Sequence, residues 1–476
     1  MIREQMWLHG KPVQAESGET FTSFAPAEGR VLGEVPRANA HDVERAVASS
    51  QVGFAYWSGL PPADRERVLL RAADILEARA DELIDLIIDE SGSTITKARF
   101  ECRYSASLLR TAAGEARRLY GDTFPNDRPH RMSMVFREPL GVVASISPFN
   151  APLALLAKMV VFPLAVGNAV ISKPSEETPL IALAFARILH DAGLPDGALN
   201  MLTGYGGEVG TPLVNHPAVR GIAFTGSTTT GQKIGQLAMH GMKRLQLELG
   251  GKNPLLVLKD VDANEAAQAT LQGAFYHGGQ ICMSSSRVIV ERPIAEAYLD
   301  ALIKGANALH LGDLRDERTA YGTLIHAVAL AKVERHVRSA VEGGAELLTG
   351  GAVHHGMTYK PTLLLEPTRD NDVWREETFG PVACIVVVDS LEEAITAANE
   401  SDYGLSAGIL TNDLQRGLSA ARRIRCGGVH LGLHSFQSDA LAPVGGYGLS
   451  GMGRSGGKYS TEHFTELKWI SVELGE

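Results

Sequence analysis

Between residues 140 and 250 the chain alternates short apolar runs with stretches of helical periodicity, and this alternation limits its possible folds more than any other feature. The runs are LGVVASIS (140–147), AVISK (169–173), LNMLT (199–203), GIAFT (221–225) and LQLEL (245–249). Helical spacing separates them near 152–165, 178–193, 207–214 and 229–240. The runs are almost continuously apolar, as strands buried on both faces must be. Such repetition predicts a parallel sheet covered by helices on both sides, an α/β doubly wound nucleotide-binding domain.

Ligands of such sheets collect at the carboxyl ends of the strands. Here those ends read SPFN (147–150), SKPSE (172–176), TGST (225–228) and ELGGKNP (248–254). The first turn carries no GxGxxG. Instead Gly226 and Ser227 open a predicted helix, whose first N–H groups can hold a phosphate. Taken singly, these residues keep ordinary alternatives: Asn150 is a good helix cap, Glu248 and Glu377 read as solvated carboxylates, and Lys173 as a surface lysine. After Gly251 a second alternation, from NPLLVL through SRVIVE to ACIVVV, predicts a second α/β domain. RMSMVFR (131–137) and the C-terminal TELKWISVEL alternate at period two, the pattern of half-exposed strands. The first 60 residues read as short strands and turns. From about Ala63 to Ser91 the spacing predicts one or two amphipathic helices, with Asp64 available as a cap.

At 476 residues, two or three domains are expected. The formal charge of −10 leaves no basic face for nucleic acid. Cys102, Cys282, Cys384 and Cys426 are scattered, which argues against a disulfide framework and against a metal site. No segment is long and apolar enough to span a membrane, and MIREQMWLHGKPV has no apolar leader core, so a cytoplasmic setting is expected.

The motifs SPFNAP, GNAVISKPSE, FTGST, LELGGKNP, GQIC and EETFGPV occur in that order, and Cys282 follows Glu248 by 34 residues. This set resembles the aldehyde dehydrogenase superfamily over nearly the whole chain. The resemblance implies an NAD-binding domain of residues 1–121 and 141–250 and a catalytic domain of 251–442. It also implies a small β oligomerisation arm of 122–140 and 456–476. It implies that Cys282 attacks an aldehyde as a thiolate, that Asn150 stabilises the oxyanion, and that Glu248 activates the water that hydrolyses the thioester. Relatives that pass the acyl group to coenzyme A generally lack this glutamate, so a free acid is the implied product. By the same resemblance Lys173 and Glu176 hold the adenosine ribose, Gly226 and Ser227 the pyrophosphate, and Glu377 the nicotinamide ribose, with Phe379 beside the ring. A carboxylate at 176 favours NAD over NADP. His277, five residues before the thiol, is read as structural, and a homodimer or homotetramer is implied.

Within the superfamily, NAPLALLAKMVVFPLA (150–165), GQICMSSSRVIV (279–290) and GGVH (427–430) are most similar to the benzaldehyde, vanillin and salicylaldehyde dehydrogenases, implying an aromatic aldehyde substrate. Two departures from that branch bear on the pocket: Gly432 stands where it usually has asparagine, and Val444 where it has phenylalanine. Val444 predicts a wider pocket, which His434 and Phe436 in the same loop can refill. The alternative substrate is an aliphatic aldehyde or a semialdehyde whose carboxylate needs a cation. Lys158 is the one candidate for that cation, and its ordinary reading is a lysine on a helix surface. Two readings of another class are a non-catalytic NAD-binding protein on this fold and a thiol hydrolase that uses no nicotinamide.

Overall fold

The five apolar runs form the parallel centre of an eight-stranded sheet in the computed structural model, which describes residues 2–475. Across the sheet the strands are Gly451–Met452, Arg244–Glu248, Val219–Thr225, Val142–Ile146, Ala169–Lys173, Leu199–Met201, Met6–Leu8 and Lys11–Val13. The five from Arg244–Glu248 to Leu199–Met201 are parallel, and antiparallel strands close both edges. Of these five, the first in the chain, Val142–Ile146, is central, and the order reverses between it and Val219–Thr225. At that point helices depart to opposite faces and a crevice opens at the carboxyl ends.

One face of this sheet is covered by Ala154–Ala165 and Pro179–Asp191, backed by Pro62–Ala78, Ala80–Ser91 and Ile95–Ala116. Trp57, Leu76, Ile87, Leu108 and Phe162 lie in that core. The opposite core joins Val43, Val47, Ile222, Phe224 and Ile234.

Two expectations for the N-terminal region are corrected. The span expected to hold only strands and turns contains a helix, Ala40–Gly59, opened by a capping box in which Asn39 and Asp42 bond each other's backbone. Its buried face mixes Val43, Val47 and Trp57 with Ala46, Ser49, Ser50 and Gly53, so small residues interrupt the apolar spacing that marks a helix in sequence. The small residues are required: a Cβ on Gly53 would stand 2.2 Å from the carbonyl carbon of Gly197. Asp64 does not cap the next helix, which begins at Pro62 without a side-chain cap; it pairs with Arg67 inside the first turn.

The second sheet runs Glu346–Thr349, Thr362–Leu365, Val382–Val388, Arg287–Glu291, Pro254–Val257, Ser406–Leu410 and Gly428–Leu431, all parallel except the first. A separate three-stranded sheet joins Asp122–Phe124, Arg131–Pro139 and Thr465–Glu473, the last two paired from Thr465 opposite Pro139 to Glu473 opposite Arg131. No helix among the described residues is long and apolar enough to cross a membrane.

Candidate active site

The register of the first sheet lines up the polar strand ends. Thr225 lies opposite Glu248, Phe224 opposite Ile146, and Ile146 opposite Lys173. SPFN, SKPSE, TGST and ELGG therefore leave the sheet along one edge, two of them from the strands that flank the crevice.

Cys282 reaches that edge on the loop between a tight turn, Tyr276–Gly279, and the strand Arg287–Glu291 of the second sheet. His277, Gly278 and Gly279 are all left-handed, with φ of 51°, 62° and 70°. A Cβ on Gly279 would lie 2.0 Å from the Gly380 carbonyl oxygen. The paired glycines of LELGGK make room in the same way. A Cβ on Gly250 would meet the Glu377 carboxylate at 2.8 Å, and one on Gly251 the Cys282 carbonyl oxygen at 2.4 Å. Asn253 then pins the loop by donating from Nδ2 to the carbonyls of Cys282 (2.8 Å) and Ser284 (2.9 Å). Asn150 Nδ2 donates to the Gln280 carbonyl at 2.9 Å. An amide nitrogen carries two donors, so a second hydrogen remains.

Six of the nine residues singled out in the sequence line one cavity of about 400 Å³: Asn150, Gly226, Ser227, Cys282, Glu377 and Phe379. Lys173 and Glu176 stand outside its walls as an ion pair of 2.7 Å at the neighbouring strand end. Glu248 also stands outside them, yet its charge acts on the thiol. Gly226 spends its N–H on the Glu248 carbonyl (3.1 Å) and leaves no room for a side chain, since a Cβ would meet the Phe224 ring at 2.5 Å. Ser227 caps the helix Thr228–Met239 by accepting from the Thr230 N–H. Phe379, left-handed at φ 57°, stands edge-on to Phe149 at 6.0 Å. Sequence reasoning missed His326, Lys332 and Arg335, which line the same cavity. The helix Ala327–Glu342 carries the last two a turn apart, and Lys332 Nζ donates to the Glu377 carbonyl. No motif marks them; only the i, i+3 spacing of two cations on an amphipathic helix does.

The electrostatics are dominated by burial. It pushes the Cys282 thiol up to about 12, helped by Glu377 and Glu248 and opposed by Lys158 and the Met283 N–H. It pushes Glu248 up to about 8 against the pull of Lys158 and Arg454, and one oxygen of that carboxyl, Oε1, has no partner among the described residues. Glu377 is raised by burial too, although it accepts from the Gly251 N–H at 3.1 Å. Burial works against ionisation of Glu176 as well, but the Lys173 ammonium wins and holds it below the usual range. His277 is 3 % exposed, far below its ordinary pKa through burial, and neither ring nitrogen has a partner among the described residues. It is a neutral packed ring rather than a base for the thiol.

Lys158 corrects the surface reading. It is 6 % exposed and sits in the charge fields of Glu248 and Cys282. The helix Ala154–Ala165 is apolar nearly all round, so a lysine there has no water-facing side to occupy.

Met283, next to the thiol, belongs to a second cavity of about 420 Å³ that includes His430, Gln437, Asp439 and Val444. Beside it is an aromatic cluster. Phe436 stacks on Tyr276 (5.4 Å) and approaches Phe100 (6.5 Å), Phe100 stacks on Tyr104 (5.8 Å), and the Tyr104 hydroxyl donates to the Asp439 carbonyl. His434 lies 6.3 Å from Phe436. Gly432 has φ 69°, a conformation that glycine adopts freely and asparagine tolerates.

A thiol and two raised carboxyls gather at the switch point of a doubly wound sheet, where such sheets bind their ligands. The model of the aldehyde dehydrogenase family matches residues 13–470. A vanillin dehydrogenase of Pseudomonas fluorescens is 37 % identical, covering 100 % of this chain and 99 % of its own length. A glutarate-semialdehyde dehydrogenase of Pseudomonas putida is 33 % identical, covering 100 % and 98 %. The crystal structure of an NAD-dependent aldehyde dehydrogenase from Sinorhizobium meliloti superposes with a TM-score of 0.98 at 37 % identity, covering 100 % of this chain and 95 % of that one. The chain belongs to the aldehyde dehydrogenase family. It is an NAD(P)-dependent aldehyde-oxidising enzyme with a Rossmann-like and a catalytic α/β domain.

Proposed function

We propose that this enzyme oxidises an aromatic aldehyde to the free carboxylic acid, with Cys282 as nucleophile and NAD preferred over NADP. The ring cluster of Phe100, Tyr104, Tyr276 and Phe436 beside the Met283 cavity carries the aromatic reading. The cluster meets that cavity through the Tyr104 hydroxyl on the Asp439 carbonyl, and flat rings pack edge-on and offset against one another. The whole-length likeness to a vanillin dehydrogenase supports it.

The donor set suits a pyridine dinucleotide. The N-terminus of Thr228–Met239 with Ser227 would take the diphosphate. Lys173 and Glu176 would hold one ribose, and Glu377, with Phe379 beside it, the other. The carboxylate of Glu176 would repel a 2′-phosphate. Bound there, NAD supplies the acceptor for the hydride that leaves the substrate carbon. Everything else falls to the chain. Burial disfavours the Cys282 thiolate, so the thiol first gives its proton to solvent; the sulfur then adds to the carbonyl carbon, and the electron pair moves to oxygen, where the spare Asn150 N–H and the Cys282 N–H receive it. Once the carbon is oxidised, the carbonyl reforms as a thioester. Glu248 takes a proton from water, the hydroxide adds to the thioester, and the C–S bond breaks to return the thiolate and release the acid. We assign the dinucleotide to residues 1–121 and 141–250, catalysis to 251–442, and assembly into a homodimer or homotetramer to 122–140 and 456–476.

The alternative substrate is a semialdehyde, favoured by the buried Lys158 and by the glutarate-semialdehyde relative. The test is kcat/KM for a substituted benzaldehyde against a linear semialdehyde, each with NAD and with NADP. The aromatic compound with NAD is expected to lead. A preference of tenfold or more for the semialdehyde, about 1.4 kcal/mol in transition-state binding, would transfer the assignment to the alternative.

A further inference from the structure

Three successive carbonyls of the thiol loop are each taken by a buried side chain. Asn253 holds those of Cys282 and Ser284, and its own Oδ1 accepts from the Ser406 N–H at 3.0 Å. The carbonyl between them, that of Met283, accepts from the Ser435 hydroxyl at 2.7 Å. Ser435 lies 152 residues further along the chain, in the segment 432–437 that follows the strand Gly428–Leu431. It is fully buried, and its own carbonyl accepts from the Ser406 hydroxyl at 2.6 Å. The Ser285 and Ser435 hydroxyl oxygens stand 2.7 Å apart, and the Ser435 N–H donates to Ser285 Oγ at 3.2 Å. A hydroxyl has one hydrogen to give, and a carbonyl has none. The Ser435 hydrogen therefore goes to Met283, and Ser285 supplies the hydrogen between the two serines. Every bond has a fixed direction, and the run of donors ends on Met283. Among the described residues, Ser435 makes every hydrogen bond between the thiol loop and the segment 432–437. The surrounding space is closed too: a Cβ on Gly273 would stand 2.6 Å from Ser285 Oγ and from the His434 Cβ.

Met283 sits between the thiol and the neighbouring cavity. Its N–H bonds the Cys282 sulfur and favours the thiolate against burial. Its side chain lines the cavity of about 420 Å³ together with Leu433 and Gln437, which flank Ser435. We propose that Ser435 is a positioning residue: by holding the Met283 carbonyl it fixes the backbone that presents the Met283 N–H to the Cys282 sulfur. This role rests on Cys282 being the nucleophile and deepens that reading. Ser435 acts through Met283, so a wall of the cavity and a donor to the thiol are built as one piece.

The experiment follows alkylation of Cys282 by iodoacetamide on wild type, S435A, S435C and S285A, read by mass on the peptide that carries Cys282. Below a thiol's pKa the rate tracks the thiolate fraction, so its logarithm climbs with pH and a raised pKa lowers the whole line. Over about pH 6 to 9, S435A is expected to lie about 5- to 10-fold below wild type, the effect of losing one hydrogen bond. S435C keeps a weaker donor in the same place and is expected to lie between the two. S285A loses a buried hydroxyl of the same pair but keeps the Ser435 bond to Met283, and is expected within about twofold of wild type. Equal slowing in S435A and S285A would overturn the inference and reduce the two serines to packing. A line for S435A that coincides with wild type, or for S435C where the alanine variant does not fold, would overturn it outright. C282S tests the underlying reading separately. Aldehyde turnover with NAD that survives in C282S sinks the nucleophile itself, and the role of Ser435 with it.

Discussion

Burial pushes Glu248 up to about 8, and in the proposed mechanism Glu248 is the base that takes a proton from water. Its carboxylate form therefore fills only as pH rises through that value, and thioester hydrolysis is expected to climb with it. E248Q removes the base and leaves the thiol. A pre-steady-state burst of reduced nicotinamide is expected to persist in E248Q, while steady-state turnover falls about 10²- to 10⁴-fold and loses its rise near pH 8. Equal collapse of burst and turnover would show that Glu248 serves an earlier step. At this scale the sequence was most legible where chemistry and backbone geometry coincide. Cys282, Asn150, Glu377 and the glycines of LELGGK sit in motifs because the turn, the close approach and the reacting atom all constrain the same few positions. Lys158 was legible only as a residue type. Whether a lysine faces water depends on what packs against its helix, and that is set by segments far away in the chain.

Two buried carboxylates tie the helices together. Glu90, near the C-terminal end of Ala80–Ser91, accepts from the Leu180 and Ile181 N–H groups (2.7 and 2.9 Å) and so caps a different helix, Pro179–Asp191. Glu101 does the same for Ala154–Ala165 while holding Lys97. E101A leaves two helix-end donors and a buried ammonium without partners. The expected cost is about 3–5 kcal/mol, seen as a lowered midpoint in thermal unfolding. E101Q keeps an oxygen for the amides and is expected to lose less. Equal midpoints for E101A and wild type would mean that water replaces the carboxylate. Neither cap could be read from local sequence, because donor and acceptor lie 52 and 90 residues apart. One clue was present: an acidic residue at a helix C-terminus opposes the helix dipole, which makes Glu90 unexpected there unless it serves another element. The parallel strands were legible because burial on both faces writes itself as an unbroken apolar run. The helix Ala40–Gly59 was not, since its contact with backbone at Gly197 demands small residues around Gly53 that break up the spacing of Val43, Val47 and Trp57.

For the whole molecule, the three-stranded sheet is where the proposed assembly would form. Phe124, Leu467 and Trp469 are exposed on one face, where Phe124 and Trp469 lie 6.4 Å apart, and Met132, Phe136 and Ile470 are exposed on the other. Thr465–Glu473 pairs only with Arg131–Pro139, so its outer edge offers nine residues of backbone to another strand. Exposed edges and apolar faces of this kind are covered in stable proteins. The period-two pattern of RMSMVFR and TELKWISVEL announced the strands, but alternation cannot say whether the second face meets water or another subunit. We expect native mass measurement at micromolar concentration to give two or four times the chain mass. Adding charge at L467E and W469E together is expected to shift the population toward monomer. Because the two side chains are already exposed in the single chain, their replacement costs the isolated fold little. The double variant should therefore unfold at a similar temperature when extrapolated to low protein concentration, and at a lower one when concentrated, where wild type gains from association. A wild-type monomer, or a double variant that assembles as wild type does, would move the interface to another face of the molecule.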